Sequence, residues 1–455
     1  MNFIGLLYIL IANYIIGNGI LKLFKINISP FFNFCLCMIV GIPVIGFVPL
    51  IVQLCYIPIS NFNTFIAIEL LCIAIWTPLY KKIKKPKRII FPKIKIYEIP
   101  FLVIFILLMM VSVWRCFYYP PLARDLITGP ELIAEFAVQE RTLINSVFSI
   151  DLTTTNNYFK SPFITGLQIV YKLFVCPFGQ VWLSVLSLSF LGIIYTILRE
   201  KLHPLFAGFI LLIFITIPEL YAYSYLVLYD YSNMVFFFLG VYFLSIFLDN
   251  YSLNNLIFSA LMFGVSVFIR TETLIIVSML FPMLTFYFYK KKLGRKEFLS
   301  KSLIFLLIPI VFYLLCMDVF VRLFIPLKFD ISNNLNNNLA NVSILLDRFK
   351  DLITKLIFSN LGVNVYGYFL FFFCAILIID LVLFRKLRRG AVICLYTIAT
   401  VYFGMVLLGY LVPLVDLLNT TKRGLFKFLP VMVFYMCNSN SVLWLSSKVE
   451  KWELI

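Results

Sequence analysis

The sequence predicts an all-α protein, a polytopic bundle of transmembrane helices forming a single membrane domain. Hydrophobic residues make up 62% of the 455-residue chain and charged residues only 13%, whereas soluble domains are about half apolar. Apolar stretches of about 20 residues, long enough to cross a bilayer as helices, recur from one end of the chain to the other. The strands of an outer-membrane barrel would instead alternate apolar and polar residues. Composition and pattern therefore both favour membrane-spanning helices.

About 13 apolar segments are predicted to span the membrane. They cover residues 3–21, 33–55, 64–80, 99–116, 178–198, 205–220, 233–249, 254–269, 273–289, 302–325, 363–384, 391–412 and 428–446. The first segment lacks the basic leader and the small-residue cleavage site of a signal peptide. Because Lys22 and Lys25 follow it, we expect it to run from the outside to the inside.

Three basic runs, at 81–88, 290–296 and 385–389, mark the predicted cytoplasmic side. The alternation of the predicted helices places all three runs on the same side. We therefore expect the net charge of +17 to set topology and to contact anionic membrane lipids, with no nucleic acid as partner. The expected location is the plasma (inner) membrane, with the C-terminus in the cytoplasm.

Two long loops are predicted on the outer side, a first loop at 117–177 and a second loop at 326–362. In the first loop, Gly129 and Pro130 begin the segment "GPELIAEFAVQE", and proline suits the first turn of a helix. In the second loop, an asparagine-rich tract is followed from Leu339 by apolar residues at helical spacing. This spacing predicts an amphipathic helix on the membrane surface.

The ten cysteines show no metal-binding spacing. Most lie within apolar segments and are expected to be small buried hydrophobic residues. Cys116 and Cys176 flank the first loop, and a disulfide between them is the alternative.

Charged residues collect near the predicted outer ends of the helices. Such residues are costly in lipid and usually face a cavity or an interface. They are Asp125, Glu131, Glu135, Glu219, Asp230, Arg270, Glu272, Asp416 and Arg423. The predicted cytoplasmic side is instead mostly basic, so this distribution predicts a polar site on the outer face of the membrane.

Several of these residues also have a structural interpretation. Glu131 and Glu135, four residues apart on one helix face, fit a solvated surface. Arg270 and Glu272 fit a local ion pair between two helix ends. Asp125 follows a Pro-Pro turn and has less structural reason to be acidic, so it is the first candidate for chemistry.

Two further segments belong to the predicted site. Asp230 is preceded by Tyr229, and both are site candidates, although the tyrosine also fits an aromatic belt at the membrane interface. The segment "TTKRGLFKFLP" brings Lys422, Arg423 and Lys427 to the outer end of the last predicted helix. Basic residues on the outside oppose the positive-inside bias, so they indicate an anionic partner such as a lipid phosphate.

The first loop carries Asp125 just after a predicted transmembrane helix. It ends with "NNYFKSPFITGLQIVYKLFV", in which Lys160 and Pro162 precede an apolar helix. Both features resemble the GT-C glycosyltransferases, especially the protein O-mannosyltransferase and lipid A aminoarabinose transferase type. That family has an acid in its first large outer loop, then an aromatic residue and a lysine before proline. Ser161 stands where many relatives have a further proline.

Three later segments resemble the same family, and the resemblance spans about residues 99–446. "YSYLVLYDYSNMVFFFLGVYFLSIFL" is similar to its tyrosine- or serine-rich turn, an aspartate (here Asp230) and a phenylalanine-rich helix. "LIFSALMFGVSVFIRTETL" is similar to a helix that ends in arginine, here Arg270. "KRGLFKFLPVMVFY" is similar to the basic residue and proline that begin a late helix. Unlike many relatives, this chain has Leu126, not a second carboxylate, directly after Asp125.

The resemblance implies a hexosyl- or pentosyltransferase. Its donor would be a sugar on a polyprenyl phosphate, and its acceptor a hydroxyl of a lipid, a glycan or a protein. Asp125 would be the general base, with Glu131 as the alternative. Displacement by one carboxylate without a covalent intermediate would invert the anomeric carbon. The scheme requires no cofactor, although a divalent metal is compatible with it. The residues expected to bind the donor phosphate are Lys160, Arg270, Arg423 and Lys427.

Two other functions stay open. An O-antigen polymerase or ligase also has many helices and outer loops, but it binds a lipid diphosphate and carries arginines in its large loops. Acids dominate the first loop of this chain instead. A flippase or secondary transporter would favour charges at mid-membrane depth and helices broken near the centre, whereas the charges here collect near one surface.

Overall fold

The computed structural model describes residues 2–82, 94–122, 124–149, 160–176, 179–292, 294–323, 342–412 and 417–453. Within these ranges the chain is helical and contains no β-strand, as predicted. The α-helices are α1 (Phe3–Leu23), α2 (Pro30–Leu54), α3 (Asn61–Trp76), α4 (Ile99–Tyr118), α5 (Arg124–Ile127), α6 (Pro130–Glu140), α7 (Phe163–Phe174), α8 (Val181–Lys201), α9 (Pro204–Ile215), α10 (Pro218–Tyr223), α11 (Tyr229–Asn250), α12 (Leu253–Ile269), α13 (Thr273–Lys290), α14 (Arg295–Leu314), α15 (Val342–Asp351), α16 (Asn360–Tyr366), α17 (Phe369–Ile379), α18 (Arg389–Leu411), α19 (Lys422–Gly424), α20 (Leu429–Met436) and α21 (Asn440–Glu453).

Nine helices in the described ranges are long and apolar enough to cross a membrane. This confirms the predicted polytopic architecture at the level of length and composition. The nine are α1, α2, α3 continued to Tyr80, α4 begun at Ile96, α8, α11, α13, α14 continued to Arg322, and α18. The predicted segments 205–220 and 254–269 correspond to the shorter helices α9 and α12.

Two predicted spans are bent, which the sequence pattern did not predict. The segment 363–384 divides into α16 and α17 with an angle of 95°, and the segment 428–446 divides into α20 and α21 with an angle of 47°. Counting each bent pair as one span raises the number of candidate spans in the described chain to 11. The first bend contains Gly367, whose φ of +58° lies in the left-handed region that favours glycine.

Short polar residues and prolines begin many of these helices. The side chains of Asn2, Ser60 and Ser359 accept hydrogen bonds from backbone N–H groups in the first turns of α1, α3 and α16. Pro130 occupies the first turn of α6, as predicted. A capping side chain satisfies a backbone donor that has no partner inside the helix, and proline has no such donor to satisfy.

Helix α7, at the end of the first loop, packs closely on the N-terminal helices. Asn13 of α1 donates a hydrogen bond to the Tyr171 hydroxyl at 3.3 Å. A Cβ atom on Gly166 of α7 would overlap the carbonyl oxygen of Gly46 in α2. Small residues allow helix backbones to approach this closely. Packing against α1 and α2 therefore fixes the position of α7, which follows Lys160.

We expect Gly166→Val to destabilise the protein by about 1–3 kcal/mol, because the side chain would overlap a backbone carbonyl. The matched control is Gly294→Val, where a Cβ atom would meet nothing within 4 Å. Thermal unfolding of both purified variants in detergent measures the difference. Equal melting temperatures would contradict this account of the α2–α7 contact.

Helix α21 contacts the third basic run at one end and the chain after the first basic run at the other. At its start, Arg388 Nε donates to Asn440 Oδ1 at 2.9 Å. At its end, Glu453 Oε2 pairs with Lys95 Nζ at 2.7 Å. The third basic run and the chain that follows the first run therefore contact the same helix. Most of the first run itself lies outside the described residues, and the membrane side that this end faces stays a prediction.

The helix expected after Leu339 is present. Helix α15 continues as a π-helical segment to Ile357. It packs on α18, since the Tyr402 hydroxyl donates to the Phe349 carbonyl at 2.6 Å. The asparagine-rich tract lies outside the described residues. Cys116 and Cys176 are both buried free thiols, which agrees with the simpler interpretation of the cysteines.

Candidate functional site

The acid of the first loop meets the basic segment near the end of the chain. Helix α5 presents Asp125, and α19 presents Arg423. Arg423 Nη1 donates to Asp125 Oδ2 at 2.8 Å. The two residues are 298 positions apart, so this ion pair fastens the first loop to the segment before the last helices.

A second group of charges lies between α11, α12 and α13. Arg270, directly after α12, pairs with Asp230 in the first turn of α11 and with Glu272, whose Oε1 lies 2.5 Å from Arg270 Nε. The Asp230 side chain is only 4% exposed. Burial would lower the pKa of Arg270, but the charges and hydrogen bonds of the two carboxylates raise it. The guanidinium is therefore a permanent cation held in place by two acids.

Lys160 lies against the start of α11. Its Nζ is 5.7 Å from the centre of the Tyr229 ring, and the Tyr229 hydroxyl donates to the Ser161 carbonyl at 2.9 Å. Burial lowers the pKa of Lys160, and the charge of Arg270 lowers it further. Tyr229 therefore positions the end of the first loop, and its ring supports the lysine as a cation–π partner.

Lys427 brings a fourth cation to the same region. It lies in the 3-10 turn Leu425–Phe428 and is 2% exposed. Its ammonium group interacts electrostatically with Glu272, Arg270 and Asp230. A buried lysine is rare without a partner, so Lys427 marks this region as a place where negative charge is stabilised.

These residues form one electrostatic unit, which we call the Asp125 cluster. Burial alone would raise the pKa of Asp125, but the hydrogen bond from Arg423 and the charges of Lys160, Arg423 and Arg270 hold it below its ordinary value of 3.8. Asp125 is therefore ionised at neutral pH. The cluster consists of Asp125, Lys160, Tyr229, Asp230, Arg270, Glu272, Arg423 and Lys427.

The described members of the Asp125 cluster carry four positive and three negative charges, an excess of one positive charge. Arg423 Nε is buried and makes no hydrogen bond within the described chain. A buried donor of this kind is costly unless an acceptor meets it. The cluster is therefore suited to binding an anion. Asp416, one of the acids predicted near the outer ends of the helices, lies outside the described residues.

Glu131 belongs to a different group of contacts. Its carboxylate pairs with Lys172 of α7 at 2.6 Å and accepts a hydrogen bond from Gln168 at 2.5 Å. Lys172 also pairs with Glu135 at 2.8 Å. The Lys172 hydrogen bond holds the pKa of Glu135 below its ordinary value. Glu131 and Glu135 therefore fasten α6 to α7, and the Glu131 carboxylate is engaged in that contact.

The sequence interpretation missed Lys172 and Gln168, although a signal was present. Gln168 and Lys172 are four residues apart on α7, which matches the spacing of Glu131 and Glu135 on α6. Matched i, i+4 pairs on two helices of one loop indicate facing surfaces. Trp182 extends the contact, since its Nε1 donates to Gln168 Oε1 at 2.8 Å.

We expect Lys172→Met to destabilise the protein by about 3–5 kcal/mol, because it leaves the largely buried Glu131 carboxylate unpaired. Adding Glu131→Gln should recover part of this loss. The matched control is Lys355→Met, which breaks an exposed i, i+4 pair with Asp351 and should cost about 0–1 kcal/mol. Chemical unfolding in detergent measures all three variants. Similar losses for Lys172→Met and Lys355→Met would contradict this account.

Within the described ranges, no three His, Cys, Asp or Glu side chains form a group that could hold a metal ion. Comparison of the chain with family models, curated proteins and solved structures finds no match. The family resemblance therefore stays an expectation based on the quoted segments.

Proposed function

We propose that this protein is a membrane glycosyltransferase that moves a hexose or pentose from a polyprenyl-phosphate-linked donor to an acceptor hydroxyl. The reaction takes place at the outer face of the plasma membrane. One observation carries the proposal: an ionised carboxylate, Asp125, pairs with Arg423 within a group of four cations. Such a site can accept a proton and stabilise a departing phosphate at the same time.

The cations favour a phosphate as the leaving group. Arginine and lysine make strong charge-assisted hydrogen bonds to phosphate oxygens. A sugar phosphodiester carries one negative charge, which equals the excess positive charge among the described cluster residues. A lipid diphosphate would bring more negative charge than this excess. The balance supports a polyprenyl monophosphate donor, whose hydrocarbon chain can stay in the bilayer beside the apolar helices.

In the proposed reaction, the acceptor hydroxyl oxygen attacks the anomeric carbon while the bond from that carbon to the phosphate oxygen breaks. Asp125 takes the hydroxyl proton. The polyprenyl phosphate leaves with the electron pair of the broken bond, and Lys160, Arg270, Arg423 and Lys427 stabilise its added charge. Attack from the side opposite the phosphate inverts the anomeric carbon.

Donor binding would also strengthen the base. Without donor, Arg423 and Lys160 hold the pKa of Asp125 low, which makes Asp125 a weak proton acceptor. A bound phosphate competes for the same cations and reduces their hold on the carboxylate. The pKa of Asp125 then rises, so that the base becomes effective when the donor is present.

This competition predicts two different pH profiles. The active form of Asp125 is deprotonated, so activity falls as the pH drops through its pKa. For kcat/KM, which reports the free enzyme, the Asp125 limb should lie below pH 3.8. For kcat, which reports the donor-bound enzyme, the limb should lie at higher pH. On the alkaline side, kcat/KM should fall as Lys160 loses its proton. The midpoint of this alkaline limb should lie below pH 10.5, because the pKa of Lys160 is lowered from that value. A kcat limb at or below the pH of the kcat/KM limb would contradict the competition.

Transfer by the purified protein tests the function. Proteoliposomes are given undecaprenyl phosphate carrying a radiolabelled hexose or pentose, or undecaprenyl diphosphate carrying the same labelled sugar, with membrane extract as the source of acceptor. We expect label to leave the lipid and to enter the acceptor. Transfer only from diphosphate-linked sugars would support the polymerase or ligase alternative. Movement of the intact lipid between leaflets without transfer would support a flippase.

A further inference from the structure

A second polar group lies beside the Asp125 cluster. Helix α10 brings Glu219 to α19, where Glu219 Oε1 pairs with Lys422 Nζ at 2.8 Å. The Tyr223 hydroxyl donates to the same oxygen at 3.1 Å. The other oxygen, Glu219 Oε2, is buried and has no hydrogen-bond partner in the described part of the chain.

Aromatic side chains enclose this group. The Tyr223 ring lies 5.1 Å from the Phe426 ring, which in turn lies 5.9 Å from the Tyr366 ring. The Tyr366 hydroxyl donates to the backbone carbonyl of Lys422 at 2.9 Å. A few placed polar groups among aromatic rings are typical of small-molecule sites. A buried carboxylate oxygen without a donor is costly, so Glu219 Oε2 is suited to a ligand that donates hydrogen bonds.

The position of the group relates it to the Asp125 cluster. Lys422 directly precedes Arg423, which pairs with Asp125. The charges of Asp230, Glu219 and Arg423 all act on Tyr223, so this tyrosine lies within electrostatic range of both groups. A molecule whose phosphate meets Arg423 would place the atoms next to that phosphate near Glu219.

We propose that Glu219, Lys422 and Tyr223 form the subsite that binds the hydroxyl groups of the transferred sugar. This inference rests on the proposed function and names its sugar-recognition residues. A sugar hydroxyl donates to Glu219 Oε2, while Lys422 donates to a hydroxyl oxygen. A site built to hydrogen-bond a hydroxyl discriminates strongly against a ligand that lacks it.

Binding measurements in lipid nanodiscs test the subsite with two kinds of probe of equal charge. One is the methyl ester of undecaprenyl phosphate, called the bare lipid, and the other is undecaprenyl phosphate carrying a hexose or a pentose. We expect wild-type protein to bind at least one sugar-bearing probe more tightly than the bare lipid. Glu219→Gln should weaken binding of that probe by about 10- to 100-fold, the loss expected for a hydrogen bond to a charged group. Its effect on the bare lipid should be much smaller.

A charge-swapped variant separates recognition from structure. Either Glu219→Lys or Lys422→Glu alone breaks the ion pair between α10 and α19. The double variant restores a pair of opposite orientation, so it should regain the thermal stability that the single variants lose. It should not regain the preference for the sugar-bearing probe. If Glu219→Gln or the double variant keeps the wild-type preference, or if wild-type protein has none, the subsite is wrong and the ion pair is only structural. If wild-type protein binds no undecaprenyl phosphate at all, the proposed function fails, and the subsite fails with it.

Discussion

Asp125→Asn should lower kcat for sugar transfer by about 100- to 10,000-fold, the usual contribution of a positioned general base. Asparagine has nearly the same size as aspartate but cannot accept the hydroxyl proton. The substitution also releases Arg423 from its ion pair, so the donor phosphate no longer competes with a carboxylate. Donor affinity should therefore be unchanged or higher. This combination of a lost kcat with retained binding distinguishes a catalytic role from a structural one.

The control for this prediction is Glu140→Gln, in the same loop. The Glu140 carboxylate accepts a hydrogen bond from the backbone N–H of Ser146 at 2.9 Å and belongs to neither the Asp125 cluster nor the contact between α6 and α7. We expect nearly wild-type transfer from it. A comparison with Glu131→Gln tests the alternative base. If Asp125→Asn transfers sugar at the wild-type rate while Glu131→Gln does not, the base is Glu131.

Arg270→Met should have the second large effect, because it leaves Asp230 and Glu272 without their shared cation. Breaking a buried ion pair in this way costs about 3–5 kcal/mol, and we also expect transfer to be lost. Arg270→Lys should not rescue either property, since one ammonium group cannot reproduce the geometry of a guanidinium that pairs with two carboxylates. Thermal unfolding and transfer assays measure the two effects separately.

A neutralised variant distinguishes the two roles of Arg270. Combining Arg270→Met with Asp230→Asn and Glu272→Gln also removes the two carboxylate charges that Arg270→Met leaves unpaired, so stability should largely return. Transfer should stay lost, because the phosphate would still lack this cation. Recovery of both stability and transfer would show that Arg270 has only a structural role.

The nine long apolar helices of the described ranges could be predicted from the sequence, because their apolar segments are long enough to be recognised by composition alone. The bends depend on tertiary contacts. At the bend between α20 and α21, the Tyr435 hydroxyl and the Ser441 N–H both donate hydrogen bonds to the buried Asp380, each at 2.8 Å. This acid from α17's C-terminal extension caps a new helix inside a segment predicted to be continuous. The polar run "NSNS" at the bend was the available signal.

The candidate site was predictable in part. Asp125, Arg270 and Arg423 stood out because charges are rare in this chain and fall near the same predicted helix ends. Their partners could not be predicted, since the Asp125–Arg423 pair joins positions far apart in the sequence and no pattern in one sequence specifies that contact. For the same reason Glu219 was noted as an acid near the site, but its pairing with Lys422 became visible only in the folded chain.

In the proposed function, the Asp125 cluster binds the donor phosphate in competition with Asp125. Electron cryo-microscopy of the protein in lipid nanodiscs with undecaprenyl phosphate can show this competition. We expect phosphate density within hydrogen-bond distance of Arg423 and of Lys160 or Lys427, with the 2.8 Å contact between Arg423 and Asp125 broken. Phosphate bound at the opposite end, near Lys95 and Glu453, with the Arg423–Asp125 pair intact, would contradict it.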